Sequence, residues 1–273
     1  MSVIPTLDHV VVNARDGLAE AAALWARLGF TLTPRGTHTL GTRNHLAVFG
    51  TDYLELVGAP AGRSDLHPMR WPAGLNGLVF GSDDAQRTYD AMKTAGVAAD
   101  PPLEFSRPVF GGAVAAFRTV NLPDGTIASG RVYFCEHRTR DLVWRDEWRG
   151  HANGVIGIEA VTVVARDPAI LGGTLAEMFG VHAVRAIPGG LRLACALTRV
   201  DVIDLPQFER RWGVTAFALD DRAEAMSALT LRTTSLARAH AALRAGGIEF
   251  RDESGRITLD APQAGGVALG FVE

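Results

Sequence analysis

The sequence predicts an α+β fold in which one unit, strand–helix–strand–strand–strand, occurs four times in tandem over 273 residues, arranged as two domains of two units. Three observations carry the prediction. Short runs of β-branched and aromatic residues open each unit, as at Leu7-Asp8-His9-Val10-Val11-Val12. Amphipathic helices follow them and stop at glycine: Gly29, Gly96 and Gly246-Gly247. The chain also repeats itself, since Val161-Thr162-Val163-Val164-Ala165-Arg166-Asp167 lines up with Val10-Val11-Val12-Asn13-Ala14-Arg15-Asp16.

The first unit starts at Leu7. Asp16 offers an N-cap, because a short acidic side chain can accept from the first free helical amides. Leu18, Ala22, Trp25 and Leu28 then fall at helical spacing. Phe30-Thr31-Leu32-Thr33 and His45-Leu46-Ala47-Val48-Phe49 read as strands, and Tyr53-Leu54-Glu55-Leu56-Val57 closes the unit. The second unit opens at Leu75-Asn76-Gly77-Leu78-Val79-Phe80. Asp83 or Asp84 caps its helix, and strands near Phe105, from Val114 to Val120 and from Arg131 to Glu136 complete it. Asn121-Leu122-Pro123-Asp124-Gly125 presets a turn.

Residues 138–154 break the pattern with Arg138, Arg140, Arg145, Asp146, Glu147, Arg149 and two tryptophans. This places a first domain at 1–140, a linker at 141–154 and a second domain at 155–273. The third unit runs from Ile156 to Leu205 and the fourth from Leu229 to the end. The last helix carries Leu236, Ala239, His240 and Leu243.

Composition excludes several classes. The net charge is -3 and no basic block appears, which argues against a nucleic-acid partner. No apolar run approaches the roughly 20 residues of a membrane span. The start, Met1-Ser2-Val3-Ile4-Pro5, lacks a basic and an apolar segment, so a cytoplasmic protein is expected. Cys135 and Cys195 are the only cysteines, far apart, which excludes a disulfide scaffold or a thiolate zinc site. Phosphate-loop, Gly-x-Ser-x-Gly and His-Glu-x-x-His sequences are all missing.

Chemistry concentrates on two strands. Side chains on a strand alternate faces, so Leu7, His9 and Val11 share one face, as do Tyr53, Glu55 and Val57. A His and a Glu among apolar neighbours are either two costly buried polar groups or two ligands.

The repeat, with His in a first strand and Glu in a fourth, resembles the vicinal oxygen chelate superfamily, which includes glyoxalase I, extradiol dioxygenases, fosfomycin-resistance transferases and bleomycin-binding proteins. Gly36-Thr37-His38, Gly41-Thr42-Arg43-Asn44-His45 and Tyr53-Leu54-Glu55-Leu56 are similar to the glyoxalase-like domain group within it. So is the stretch holding Phe134-Cys135-Glu136-His137, Trp144, Trp148 and His151-Ala152-Asn153-Gly154. The resemblance implies two cupped mixed sheets of two units each, with metal ligands on first and fourth strands. Carried over, it implies metal ligands His9, Glu55 and Glu136, with Glu55 and Glu136 also catalytic. The ion would be divalent iron, manganese, zinc or nickel. Gly77 stands where a fourth ligand is expected and has no side chain. In the second domain Ala160 takes the place of His9 and Asp204 that of Glu55, so no metal is expected there.

Around this centre, His38, Asn44, His45, Arg118, Trp144 and His151 are candidate substrate-binding residues. Turn polarity, surface exposure and ordinary aromatic packing are the competing explanations for them. Two functions follow. One is a metal-dependent enzyme of lyase, isomerase or dioxygenase type that chelates two adjacent oxygens of a small metabolite. The other is a metal-free protein that binds or sequesters a small molecule, as bleomycin-resistance proteins do. A monomer or homodimer with a small-molecule ligand is expected in either case.

Overall fold

The computed structural model describes residues 5–213, 219, 221–253 and 255–273. The first half contains β1 (Leu7–Arg15), α1 (Leu18–Arg27), β2 (Gly36–Thr37), β3 (Arg43–Val48), β4 (Tyr53–Gly58), β5 (Gly74–Gly81), α2 (Ala85–Thr94), β6 (Leu103–Pro108), β7 (Val114–Asn121) and β8 (Arg131–His137). These strands form one eight-stranded mixed sheet in the order β2-β3-β4-β1-β5-β8-β7-β6. First and fourth strands of each unit pair in parallel, and β1 and β5 meet antiparallel at the centre. The site strands therefore lie in the middle of the sheet, with a hydrogen-bonded strand on either side.

The second half repeats the plan with β9 (Val155–Ala165), α3 (Pro168–Phe179), β10 (Val184–Ile187), β11 (Gly190–Cys195), β12 (Thr198–Ile203), α4 (Leu205–Trp212), β13 (Glu224–Thr233), α5 (Leu236–Ala245), β14 (Arg251–Glu253), β15 (Arg256–Leu259) and β16 (Ala268–Val272). Its sheet order is β10-β11-β12-β9-β13-β16-β15-β14, the same topology. The α+β class and the tandem vicinal oxygen chelate architecture are thus present in the fold. Two details differ from expectation. The fourth unit starts at Glu224 rather than Leu229, because Ala225, Ser227 and Ala228 are poor strand formers and hide the start of β13. The helix α4 between the last two units is matched in the first half only by a short 3-10 turn, His67–Arg70.

Local chemistry explains the helices. Asp84 accepts from Arg87 N at 3.0 Å, Asp167 from Ala169 N at 3.0 Å and Ser235 from Arg238 N at 3.3 Å. The expected cap Asp16 is not used, and α1 starts after Gly17 without a side-chain cap. Gly29 ends α1 with φ +93°, and a Cβ there would sit 2.8 Å from Ala242 Cβ of α5. Glycine at this point serves both the left-handed turn and the close approach of the two halves.

One apolar cluster runs through both halves, from Val10, Trp25, Leu54 and Phe134 to Val161, Leu175, Leu229 and Phe271. Phe80 meets Phe179 of α3 at 4.7 Å between ring centroids. Residues 138–154 are tightly held rather than loose: Asn153 is fully buried, and its Nδ2 donates to Leu28 O at 3.0 Å. Asp52, in the turn between β3 and β4, accepts from Ile158 N of β9 at 3.0 Å. No helix among the described residues is long and apolar enough to cross a membrane.

Candidate functional site

The ladder between β1 and β5 slips by one residue between Leu7 and His9. This bulge turns Leu7 into the helix-side core with Val10 and Val12, instead of leaving it beside His9 and Val11 as strict alternation requires. It also frees Asp8 to reach its neighbour. Asp8 Oδ1 accepts from His9 Nδ1 at 2.6 Å and from His137 Nε2 at 3.1 Å. Burial raises the Asp8 carboxyl, but the His137 and His9 hydrogen bonds outweigh it and bring it down to about 2. Asp8 is therefore an anion at neutral pH.

With Nδ1 committed to Asp8, His9 presents Nε2 to the concave face. Its ring stacks on Tyr53, 4.3 Å away and inclined by 12°. The Tyr133 hydroxyl lies 3.1 Å from Nε2. Burial keeps the Tyr133 phenol well above its ordinary value, so it holds its proton and donates. Glu55 Oε2 lies 3.8 Å from His9 Nε2 on the adjacent strand β4. Burial works against the Glu55 charge, but His38, His9, the Asn44 hydrogen bond and Arg131 together lower its carboxyl. Asn44 Nδ2 donates to Glu55 Oε1 at 2.6 Å, and His38 Nε2 is 3.7 Å from the same oxygen. Burial, only partly offset by Glu55, depresses His38 below the usual imidazole range. The result is an ionised carboxylate between two imidazoles at the end of a cavity of about 610 Å³.

His9, Glu55, His38 and Asn44 are thus brought together. The other sequence candidates are not. Glu136 shares the face of Val132 and Phe134, but that face is the helix side, not the cavity side. Its Oε2 accepts from Ala85 N at 2.8 Å and its Oε1 from Arg138 at 2.7 Å, so it closes the start of α2. Glu136→Gln is expected to lower stability by about 1 kcal/mol through the lost charge at a helix N-terminus, and to leave ligand binding unchanged in a titration. His45 also points away, with Nδ1 against Thr33 O at 2.8 Å. Arg118 faces the same outer side, 3.3 Å from Glu104 and 3.7 Å from Glu136. Alternation accounts for all three: each lies one residue out of phase with a cavity residue on its strand.

Trp144 packs on Tyr53 and His137 under the Arg140 guanidinium and stands behind the cavity wall. His151 bonds Val48 O at 3.0 Å through Nε2 and receives Thr31 N at 3.0 Å on Nδ1, a purely architectural arrangement. Arg131 and Tyr133 are cavity residues that sequence reasoning passed over, and Arg107, for which a surface role is the default expectation from sequence, lines the cavity too. Arg107 is only 5 % exposed despite its surface-type side chain.

Strand pairing shows which residues the internal repeat makes equivalent. Val11 pairs with Glu55, and Val79 pairs with Tyr133. If Gly77 takes the place of His9, then Val79 takes that of Val11, and Tyr133 that of Glu55. The phenol of Tyr133, not Glu136, therefore holds the fourth-strand position. Gly77 lies opposite Val11, and a Cβ there would come within 2.5 Å of Val11 Cβ. Gly77→Ala is expected to cost about 1–3 kcal/mol by overpacking the central strands, read as a lower Tm.

The expected divalent ion can be judged on this donor set. His9 Nε2 and Glu55 are placed to share an ion, and His38 Nε2 stands 3.7 Å from the other Glu55 oxygen, but His38 is held by Asn44 and the three donors do not converge within 4.8 Å, while the remaining two positions offer an empty glycine and a protonated phenol. Among the described residues, the only His, Cys, Asp or Glu trio with donor atoms all within 4.8 Å is Asp8, Cys135 and His137, and Asp8 there is already bonded to both histidines. Catalytic sites of this kind hold their metal with three protein ligands. The cavity residues fall short of that set and do not fit a resident metal.

The second sheet keeps the plan and loses the site. Thr162 pairs with Asp201 as Val11 pairs with Glu55, so Asp201, not Asp204, is the counterpart of Glu55. Asp204 instead caps α4, accepting from Gln207 N at 2.7 Å. Arg192 and Arg211 clamp Asp201 at 2.5 and 2.7 Å, and Ala160 stands for His9.

Many solved structures share the fold, among them the following three. A hypothetical protein from Staphylococcus aureus aligns over 98% of this chain and 99% of its own, at 11% identity and a TM-score of 0.67. A mutant 4-hydroxymandelate synthase from Streptomyces coelicolor aligns over 98% and 92%, at 15% identity and a TM-score of 0.60. A fusion of a xylose isomerase-like TIM barrel with a 4-hydroxyphenylpyruvate dioxygenase aligns over 99% of this chain and 48% of its own, at 12% identity and a TM-score of 0.59. At these identities the similarity shows the fold alone. No curated protein matches the sequence. The glyoxalase-like domain family model matches residues 7–179. The chain belongs to the glyoxalase-like domain family, within the vicinal oxygen chelate superfamily.

Proposed function

We propose that the first cup binds a small oxygenated metabolite and moves a proton on it, with His9 as the acid–base group. The observation that carries this reading is the buried row Asp8–His9–Tyr133, which directs His9 Nε2 at the cavity beside Glu55. Asp8 fixes the tautomer. Once Nε2 takes a proton from a carbon next to a carbonyl, two carboxylates, Asp8 and Glu55, face the imidazolium. As the substrate enters, the Tyr133 hydroxyl turns from His9 Nε2 to the oxygen that gains charge as the C–H bond breaks, which frees Nε2 as base, and Arg131, whose Nε has no partner, is the second donor there. Returning the proton to the neighbouring carbon completes an isomerisation, and loss of a β-substituent completes an elimination.

The metal-dependent version of this enzyme keeps two contacts in its favour, Glu55 at 3.8 Å from His9 Nε2 and at 3.7 Å from His38 Nε2. Solvent deuterium uptake by small hydroxy- and oxo-compounds, followed by mass spectrometry, separates the readings. The proposal expects uptake that survives exhaustive chelation. Uptake that needs an added divalent ion supports the metal-dependent enzyme, and tight binding without uptake supports a sequestering protein.

A further inference from the structure

Two guanidinium groups in the cup form no ion pair among the described residues. Arg107 rises from β6, is 5 % exposed and lines the cavity, and among the described residues it has neither a carboxylate nor a hydrogen-bond partner. A Cβ on Gly36 would come within 3.0 Å of its Nη1, so the side chain reaches across to β2 at the opposite edge of the sheet. Arg131, at the start of β8, lines the same cavity, and its buried Nε is unpartnered. Both line the cavity wall that His38 and Tyr133 also form, with Arg131 lying over the Tyr133 ring at 5.7 Å. A buried cation without a partner is expensive, and such groups are retained where a ligand supplies the missing charge.

We infer that this wall is the binding site for the carboxylate of an amphipathic monoanion. Resting on the proton-transfer reading only for the choice of cup, the assignment concerns recognition alone. At the exposed rim Arg70 is paired with Asp124 and Asp100 faces solvent, while deeper in the cavity Arg107 and Arg131 stand against Glu55 alone, which leaves room there for a single negative charge on the ligand. A phosphate dianion would face Glu55 with an uncompensated charge. A guanidinium offers the planar fork that a carboxylate takes in two hydrogen bonds. Phe105, Phe117, Leu103 and Leu122 add apolar lining for a hydrocarbon or aromatic body, beside polar residues such as Thr42, Thr119 and Asn121.

Calorimetric titration of the full chain with 4-phenylbutyrate, phenyl phosphate and 4-phenylbutanol tests this. The carboxylate is expected to bind at least about tenfold more tightly than either of the others, the worth of one charge-assisted contact. Arg107→Gln and Arg131→Gln are each expected to abolish that preference. The unliganded Arg107→Gln protein should melt no lower than the parent, since an unpaired buried charge is gone. Equal affinity for acid and alcohol, or an intact preference in both variants, overturns the inference, as does a preference for phenyl phosphate. A lower Tm in Arg107→Gln without ligand assigns the residue to architecture and equally overturns its role. His9→Gln should leave the preference in place, so failure of the proton-transfer reading is seen separately.

Discussion

His9→Gln is expected to reduce turnover by about 100- to 10,000-fold, the usual contribution of a positioned acid–base group. Glutamine retains a donor for Asp8 and a similar length, so the bulge at Asp8 and the ladder to β5 should survive. It cannot take a proton at the cavity end. The loss should therefore fall on kcat, with KM changed little, because the Arg107 and Arg131 wall is untouched. Deuterium uptake should vanish in parallel. Glu55→Gln should lose less, since Glu55 acts by its field at 3.8 Å and the Asn44 contact can persist. A variant in which KM rises and kcat holds would make His9 a binding residue only.

Asp52→Asn is expected to raise stability at neutral pH. Asp52 is buried at the seam between the halves, and burial pushes its carboxyl up to about 7, against the Ile158 and Thr51 hydrogen bonds that lower it. Its ordinary value is 3.8. Between these values the folded chain holds a proton that the unfolded chain has released. Stability therefore falls as pH rises from about 4 to 7, by at most roughly 4 kcal/mol for a shift of this size. Asparagine keeps an acceptor for Ile158 N and never ionises. The difference in unfolding free energy between variant and parent should be near its full size above pH 7 and should close as pH falls toward 4. Contributions common to both proteins, including Asp8 and Glu55, cancel in that difference. Equal pH profiles would show that Asp52 is ionised and satisfied in the fold.

Much of the fold was legible because the repeat imposes itself on pattern. Strand faces, glycine stops and the alignment of 10–16 with 161–167 each follow from local chemistry. The central pair of the site was legible too, since His9 and Glu55 both interrupt apolar faces. Glu136 was misplaced because alternation tells which residues share a face but not which face is concave. The phase of β8 is set by its pairing with β5, where Val79 meets Tyr133. Tyr133 was missed since an aromatic residue in a strand carries no sign of its function. Asp8 became visible only through the bulge, which no residue in the run announces. Arg107 looks like a surface residue until β6 is folded over the cup. Asp204 drew attention away from Asp201, because helix α4 begins beside it and a cap resembles a ligand in sequence.

The central claim is that the cup works through Asp8, His9 and Tyr133 and that its donors do not converge closely enough to retain an ion. Metal analysis of protein purified without chelator, and again after loading with iron, manganese, zinc or nickel followed by desalting, addresses it most directly. The account predicts metal far below one equivalent per chain, with the same residual level in His9→Ala. Near-stoichiometric metal that His9→Ala removes would contradict it.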